Sequence, residues 1–431
     1  MRTVVTQEKA RMVETPFSAA PLQMLNIIRK RNYYPHIETI NELSGLGEVV
    51  VIDGVPMDNF ASNSYLGLSR HPRVVEAAKA AAERFGIGSG GSRLTSGSQT
   101  PHRQLEERIA EYKSKEAAIV FSSGYLANVG VLPAILNSHL TRLAAELDPE
   151  AEKLDCVTNV FFDELVHASI IDGIQLAQSK LWGGRVRSHL FLHRDVEELE
   201  QRLATTKAER ALVVTDGVFS LHGRVAPLDQ IVGVAHRYNA AVYVDDAHGT
   251  GVLGPHGRGT ADLYGVEDEI DFPIGTMSKA LGGEGGFFVG SHEMCQYLRV
   301  GCRTQMFQTS MSPPVAAGLL AAIDIIDHEP EHRERLLASA SRVNTELVRL
   351  GFNTFGSRTQ IIPVCFGSDQ QAKLACEILG RHRIFAPPYY YPAVRKGEAM
   401  VRINLMSSHT NNQLEHLLTA FEEAGQQTGV L

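Results

Sequence analysis

Between residues 60 and 314 the chain repeats one pattern, a short uncharged apolar run followed by a stretch of helical periodicity. The runs fall at residues 117–121, 160–162, 211–215, 241–244 and 272–275. Between them, segments such as PRVVEAAKAAAERF and PLDQIVGVAHRYN space their apolar residues three and four apart, one face of a helix. Continuous apolar strands separated by helices are the mark of a parallel sheet covered on both faces. The pattern therefore predicts a large α/β domain over residues 60–314 with a mostly parallel sheet. Ahead of it, residues 1–59 read as a helix around 21–31 and a hairpin, GEVVVIDGVPMDNF, turning at Asp53-Gly54. After Pro313-Pro314 the pattern changes to long helical segments, then strands at 361–366 and 400–405 flanking a helix. That reads as a smaller α+β domain over residues 315–431. The polar stretch 137–158 reads as an inserted helix.

Charge narrows the partners. With 41 Lys and Arg against 49 Asp and Glu, the 431-residue chain carries a net charge of −8. This argues against a nucleic-acid or anionic-membrane surface, which needs a basic footprint. The charged N-terminus lacks the apolar core of a secretion signal. Residues 117–136 are uncharged and long enough to span a bilayer. However, Ser122, Ser123, Gly124, Asn128, Gly130 and Pro133 punctuate them, so they read as a buried strand, a turn and a helix, with no membrane span. Five cysteines without a CxxC pair read as reduced thiols of a cytoplasmic protein.

Three motifs match chemistry that their context does not support. Residues 328–332 fit HExxH, but Pro330 at the centre breaks the helix that would bring two imidazoles to zinc. No metal site is expected. Gly86-x-Gly88-x-x-Gly91 and Gly249-x-Gly251-x-x-Gly254 fit the dinucleotide fingerprint. The first follows a helix, and the second is not followed by one, whereas a nicotinamide site wants strand, tight turn and helix in succession.

Three other elements point to one chemistry together. Lys279 lies among small residues just past the apolar run 272–275, where open α/β sheets place ligands. Alone it would be read as a loop lysine. Asp245 ends the run 241–244, with His248 three residues on. A buried carboxylate there needs a positive partner, either an arginine or a protonated ring nitrogen. The 34 residues from Asp245 to Lys279 suit one crossover between neighbouring strands. Finally, FSSGY (121–125) follows a strand and opens a helix, so Ser123, Gly124 and Tyr125 offer either an ordinary helix cap or a phosphate site. A phosphate cradle, a strand-end aspartate and a lysine on the next strand together describe a pocket for pyridoxal 5′-phosphate.

The motifs carry a resemblance. Residues 88–102 (GSGGSRLTSGSQTPH), 167–169 (HAS), 215–222 (TDGVFSLH), 245–251 (DDAHGTG) and 276–283 (TMSKALGG) resemble the α-oxoamine synthase family, in the family's order. The resemblance runs from about residue 59 to 409. It implies a fold-type-I pyridoxal-phosphate transferase. Lys279 would hold the cofactor as a Schiff base and move the Cα proton. Asp245 would keep the pyridine nitrogen protonated, His248 and Ser220 would contact the ring hydroxyl, and His167 would stack on the ring. Gly124 and Tyr125 would bind the phosphate through backbone amides, helped by Thr276. Thr309, in MFQTSMSPP, resembles the segment that reaches the neighbouring subunit's phosphate, which implies a homodimer. Arg402 resembles the family's carboxylate-binding arginine, and His409-Thr410 its closing motif.

The reaction implied is a decarboxylative condensation of a small α-amino acid with an acyl thioester. The acyl carrier would be coenzyme A or an acyl-carrier protein, and the products an α-amino ketone, CO₂ and free thiol. An aminotransferase or a β-hydroxyamino-acid aldolase would share the same cofactor machinery. A non-catalytic scaffold subunit is argued against by the presence of Lys279, Asp245 and His248. The chain departs from the family at Met400, where a second arginine is common, and at Glu284, usually small or apolar. It also departs in the 137–158 insertion and in the aromatic loop APPYYYPAV (386–394). These departures bear on the substrate rather than on the reaction.

Overall fold

The computed structural model describes residues 16–30, 38–136, 139–148, 150–151, 156–179 and 185–431. Three strands follow the first helix, Pro16–Lys30: β1 (Ile40–Ser44), β2 (Val49–Ile52) and β3 (Val55–Asn59). β2 and β3 pair antiparallel across the expected turn. Asp53 and Gly54 there have φ of 50° and 77°, the two positive values that an Asp-Gly hairpin turn accommodates at least cost.

The apolar runs build the main sheet. Its strands are β4 (Ala117–Phe121), β5 (Thr158–Asp163), β6 (Val186–Phe191), β7 (Arg210–Asp216), β8 (Ala240–Asp245), β9 (Phe272–Thr276) and β10 (Gly286–Gly290), in the order β4-β10-β9-β8-β7-β5-β6. From β9 to β6 every pairing is parallel. β10 runs antiparallel to both its neighbours. Residues 277–285 between β9 and β10 are too few for a crossover helix, and so short a link returns the chain antiparallel.

Alternating side chains enter different cores, as a sheet covered on both faces requires. Val160, Val214 and Tyr243 pack with Val131 and Ile170 from the helices Gly124–Leu136 and Ala168–Gln178. Phe161, Val213 and Val242 pack on the other side with Leu199 and Ile231 from Val196–Thr206 and Leu228–Arg237.

The rest of the chain forms β11 (Ile361–Gly367), β12 (Ile384–Phe385), β13 (Pro388–Tyr389) and β14 (Ala399–Asn404). β14 lies between β11 and β13, antiparallel to both. β12 pairs in parallel with β3, so the N-terminal hairpin and the C-terminal part share a sheet. The helix Pro313–His328 packs against Pro72–Phe85 and Thr100–Tyr112. The next helix begins at Glu331, so the HExxH match is broken around Pro330. Within 137–158, residues 139–147 form a helix, and 137, 138, 149 and 152–155 lie outside the described residues. No helix among the described residues is long and apolar enough to cross a membrane, and all five cysteines are free. The carboxyl ends of β5, β7, β8 and β9 share one sheet edge, where the helices Gly124–Leu136 and Ala168–Gln178 begin.

Candidate active site

Asp245 is the last residue of β8 and is 6% exposed. Both its oxygens accept hydrogen bonds, Oδ2 from the Asn128 amide at 2.7 Å and Oδ1 from the Ala247 N–H at 3.1 Å. Asn128 projects from the helix above, and its carbonyl accepts from Tyr243. Tyr243 stands two residues before Asp245 and so on the same face of the strand. The same Asn128 amide also reaches Ser169 Oγ at 2.8 Å.

Lys279 follows β9 by three residues and lines the same cavity as Asp245, half-buried. The loop is held by Met277 N–H on Gly285 O at 2.9 Å and by Gly282 N–H on Lys279 O at 2.9 Å. Gly282 has φ of 73°, and a Cβ there would sit 2.3 Å from the Ser69 nitrogen, so only glycine closes this turn. Burial lowers the Lys279 pKa, while the nearby Asp245 partly restores it.

At the other end of the cavity, Ser123 Oγ accepts from Leu126 N–H at 3.1 Å and caps the helix Gly124–Leu136. The amides of Gly124 and Tyr125 lie in its first turn, where helix N–H groups have no carbonyl partner within the helix. Thr276 Oγ1 lies beside them, donating to Gly285 O at 2.8 Å and 2.9 Å from Ser278 Oγ. A Cβ on Gly124 would stand 3.1 Å from Thr276, a close approach that favours glycine.

His167 precedes the helix Ala168–Gln178, its Nδ1 at 2.7 Å from Ser169 Oγ. His248 is 6% exposed, with Nδ1 at 2.6 Å from the hydroxyl of fully buried Tyr65. Burial, with Lys279 and Arg402 nearby, pushes the His248 pKa well down. Arg402, on β14, reaches in from the C-terminal part and is 6% exposed. It donates to Asn63 Oδ1 at 2.8 Å and to Asn404 Oδ1 at 3.1 Å, and its guanidinium carbon lies 5.7 Å from the Tyr389 ring centre.

These groups surround one cavity of about 440 Å³. Ser123, Gly124, Tyr125, His167, Ser220, Asp245, His248, Thr276, Lys279 and Arg402 all line it. Thr309 does not. It is exposed next door, its carbonyl 3.4 Å from Ser122 Oγ. Glu284 is exposed and also outside the lining. Sequence reasoning missed Asp216, Asn63 and Tyr389, which line the cavity, and Asn128 and Tyr65, which orient Asp245 and His248. Asp216 had a visible signal, since TDGVFSLH puts an aspartate at the end of an apolar run just as YVDDAH does.

The donor set suits pyridoxal phosphate. A helix N-terminus with two hydroxyls meets a phosphate, a buried carboxyl group held by two N–H donors meets a ring nitrogen, and a primary amine with a lowered pKa meets an aldehyde.

Comparison with known proteins agrees. The model for the aminotransferase class I and II family matches residues 56–421. An 8-amino-7-oxononanoate synthase of Thermosipho melanesiensis is 38% identical over 405 residues, 94% of this chain and 97% of that protein. The 8-amino-7-oxononanoate synthase 2 of Bacillus subtilis is 41% identical over 381 residues, 88% and 91% of the two chains. Among solved structures, the serine palmitoyltransferase of Sphingomonas wittichii superposes with a TM-score of 0.85 at 31% identity, covering 96% of this chain and 98% of its own. A structure of SPT with PLP gives 0.86 at 30% identity, covering 97% and 100%.

Proposed function

The chain belongs to the α-oxoamine synthases of the class I and II aminotransferase family, and on that footing we propose which of its residues carry the family's reaction and how it assembles. It is a pyridoxal-phosphate-dependent C-acyltransferase that condenses an α-amino acid with an acyl thioester, releasing CO₂ and thiol. The relatives reported above are synthases and an acyltransferase by name, so the aminotransferase and aldolase readings are not favoured. The observation that carries the residue assignment is the convergence of Lys279, Asp245 and Arg402 on one cavity from three separate strand ends or strands.

Bound pyridoxal phosphate supplies an electron sink for the bonds broken at the amino acid's Cα. Arg402, held by Asn63 and Asn404, grips the substrate carboxylate through its planar fork. Lys279 would anchor the cofactor, and its free amine would take and return the Cα proton. Asp245 holds the proton on the ring nitrogen, and Asn128 fixes the carboxylate in place. His167 would stack on the cofactor's ring, and neutral His248 and Ser220 would serve its hydroxyl. Ser123, Gly124, Tyr125 and Thr276 hold the phosphate. The walls from both parts of the chain keep water from the reacting carbon.

The protein acts as a cytoplasmic homodimer in this reading, with Thr309 reaching the partner's phosphate site. Ile87, Leu94 and Phe307 are 78%, 47% and 69% exposed. They sit on two segments joined by Ser310 N–H on Gly91 O at 2.9 Å and Ser89 Oγ on Ser310 O at 3.0 Å. Apolar exposure on this scale beside the site suits an interface. Equilibrium sedimentation tests it: a dimer that Phe307→Glu dissociates is expected, and a monomeric wild type would overturn it.

The reaction is tested by incubating the purified protein with pyridoxal phosphate, a panel of small amino acids and acyl thioesters. Thiol and CO₂ released in equal amounts are the expected result. Amino-group transfer without either product would overturn the reading. Offering one acyl group on coenzyme A and on an acyl-carrier protein distinguishes the carriers by their kcat/KM.

A further inference from the structure

Three aspartates end three adjacent parallel strands: Asp163 on β5, Asp216 on β7 and Asp245 on β8. Asp216 and Asp245 are direct register partners. Phe162, the residue before Asp163, is the partner of Val214. All three are buried, at 1%, 4% and 6% exposure, and neighbouring strands lie only about 4.8 Å apart. Asp163 aligns with Thr215 and so points to the other face of the sheet, while Asp216 and Asp245 form a pair of neighbouring carboxyl groups on one face.

Asp163 and Asp245 each have donors on both oxygens. Asp163 Oδ1 accepts from Leu165 N–H at 2.8 Å and Oδ2 from Arg194 N–H at 2.8 Å, with His193 Nδ1 at 3.1 Å and 3.3 Å from the two oxygens. Asp245 has Asn128 and Ala247, one on each oxygen. Asp216 receives one long hydrogen bond, from His167 N–H to Oδ1 at 3.3 Å. It nevertheless lines the cavity beside Asp245. Adjacent buried carboxyl groups cannot all be ionised, and the proton goes to the member with the weakest donor set.

We propose that Asp216 is a second carboxyl group of the active site, carried as a neutral acid whose O–H is a hydrogen-bond donor to ligand in the cavity. Burial and the neighbouring Asp245, with a smaller contribution from Asp163 across the sheet, keep the Asp216 proton on, while the His167 N–H and Lys279 oppose them. What the donor serves rests on the cofactor reading above. The protonation does not, and the test separates them.

Infrared difference spectra of the full chain at neutral pH, wild type minus Asp216→Asn, are the first readout, recorded without added cofactor. A protonated carboxylic-acid C=O band, present in wild type and absent in the variant, is expected. A carboxylate band lost instead would overturn the proposal, whatever the enzyme does. Fluorescence titration with pyridoxal phosphate is the second. Asp216→Asn keeps a neutral donor and should bind within about threefold of wild type, whereas Asp216→Ala should bind on the order of tenfold more weakly, with both variants folded by circular dichroism. Equal binding by wild type and the alanine variant would remove the donor role.

Discussion

Asn128 holds Asp245 from 117 positions away in sequence, its amide 2.7 Å from Oδ2, while its carbonyl takes the Tyr243 hydroxyl. The carboxylate proposed to meet the cofactor is thus oriented by a helix that starts at the phosphate end of the same cavity. Replacing Asn128 with Leu leaves a buried Tyr243 hydroxyl unpaired and Asp245 short of a donor, which costs about 1–3 kcal/mol of stability. Asn128→Asp keeps the shape and still accepts from Tyr243, but it turns a carboxyl group toward Asp245. Both should weaken pyridoxal-phosphate binding on the order of tenfold by fluorescence titration. Wild-type affinity in Asn128→Asp, with melting unchanged, would mean that Asp245 does not need this donor.

Lys279 carries the plainest prediction. Lys279→Ala should lose at least about 10²–10⁴ in kcat, because the proton-transfer group is gone, while circular dichroism stays native. Its pKa gives a second check. Burial outweighs the neighbouring Asp245 and moves the amine below the usual lysine range. The neutral amine is the form that reacts with an aldehyde. Capture of pyridoxal phosphate by the cofactor-free protein should therefore rise with pH and level off below about 10.4, the value of a free lysine. A plateau at or above that value would contradict the burial effect.

Arg402 predicts a split between kinetic constants. Its guanidinium is already fixed by Asn63 and Asn404 before any substrate arrives. Arg402→Lys keeps the charge and loses the fork, removing about 1.5–3 kcal/mol of charge-assisted hydrogen bonding. The KM for the amino acid should rise roughly 10–100-fold, while the KM for the acyl thioester stays near wild type. Equal rises in both would place Arg402 elsewhere than on the amino acid's carboxylate.

What the sequence shows is what neighbours in the chain settle. Apolar runs mark β4, β5, β7, β8 and β9, and Asp245 and Lys279 can be read because each lies at or just past the end of such a run. What it hides are partners brought together by crossovers. Asn128 reads as a polar interruption of an apolar stretch until helix Gly124–Leu136 is laid over β8. Tyr65 reads as core until its hydroxyl is found 2.6 Å from His248, 183 residues away. Asp216 is visible as a strand-end aspartate, but its place beside the better hydrogen-bonded Asp245 follows only from the strand order. The pairing of β12 with β3 is equally invisible, because two residues carry no periodicity.

His409 yields a stability prediction with a defined sign. It is 5% exposed, its ring stacks on Phe60 at 4.2 Å, Nδ1 accepts from Met406 N–H at 3.0 Å, and Nε2–H donates to Asn59 O at 3.1 Å. One nitrogen accepts and the other donates, so the neutral ring is the form that fits. Burial is the main cause that lowers its pKa to about 4. In the unfolded chain the same ring takes a proton below about 6.5. Between these values the unfolded state binds more protons than the folded one, so the stabilisation is complete above the upper value and lost as pH falls toward the lower. The full loss is about 3 kcal/mol. His409→Gln can still accept with its oxygen and donate with its nitrogen, but it does not titrate. Urea unfolding midpoints across this window should fall less steeply in His409→Gln than in wild type. Parallel pH slopes would show that His409 is not the group whose protonation loosens the junction between the N-terminal segment and β14.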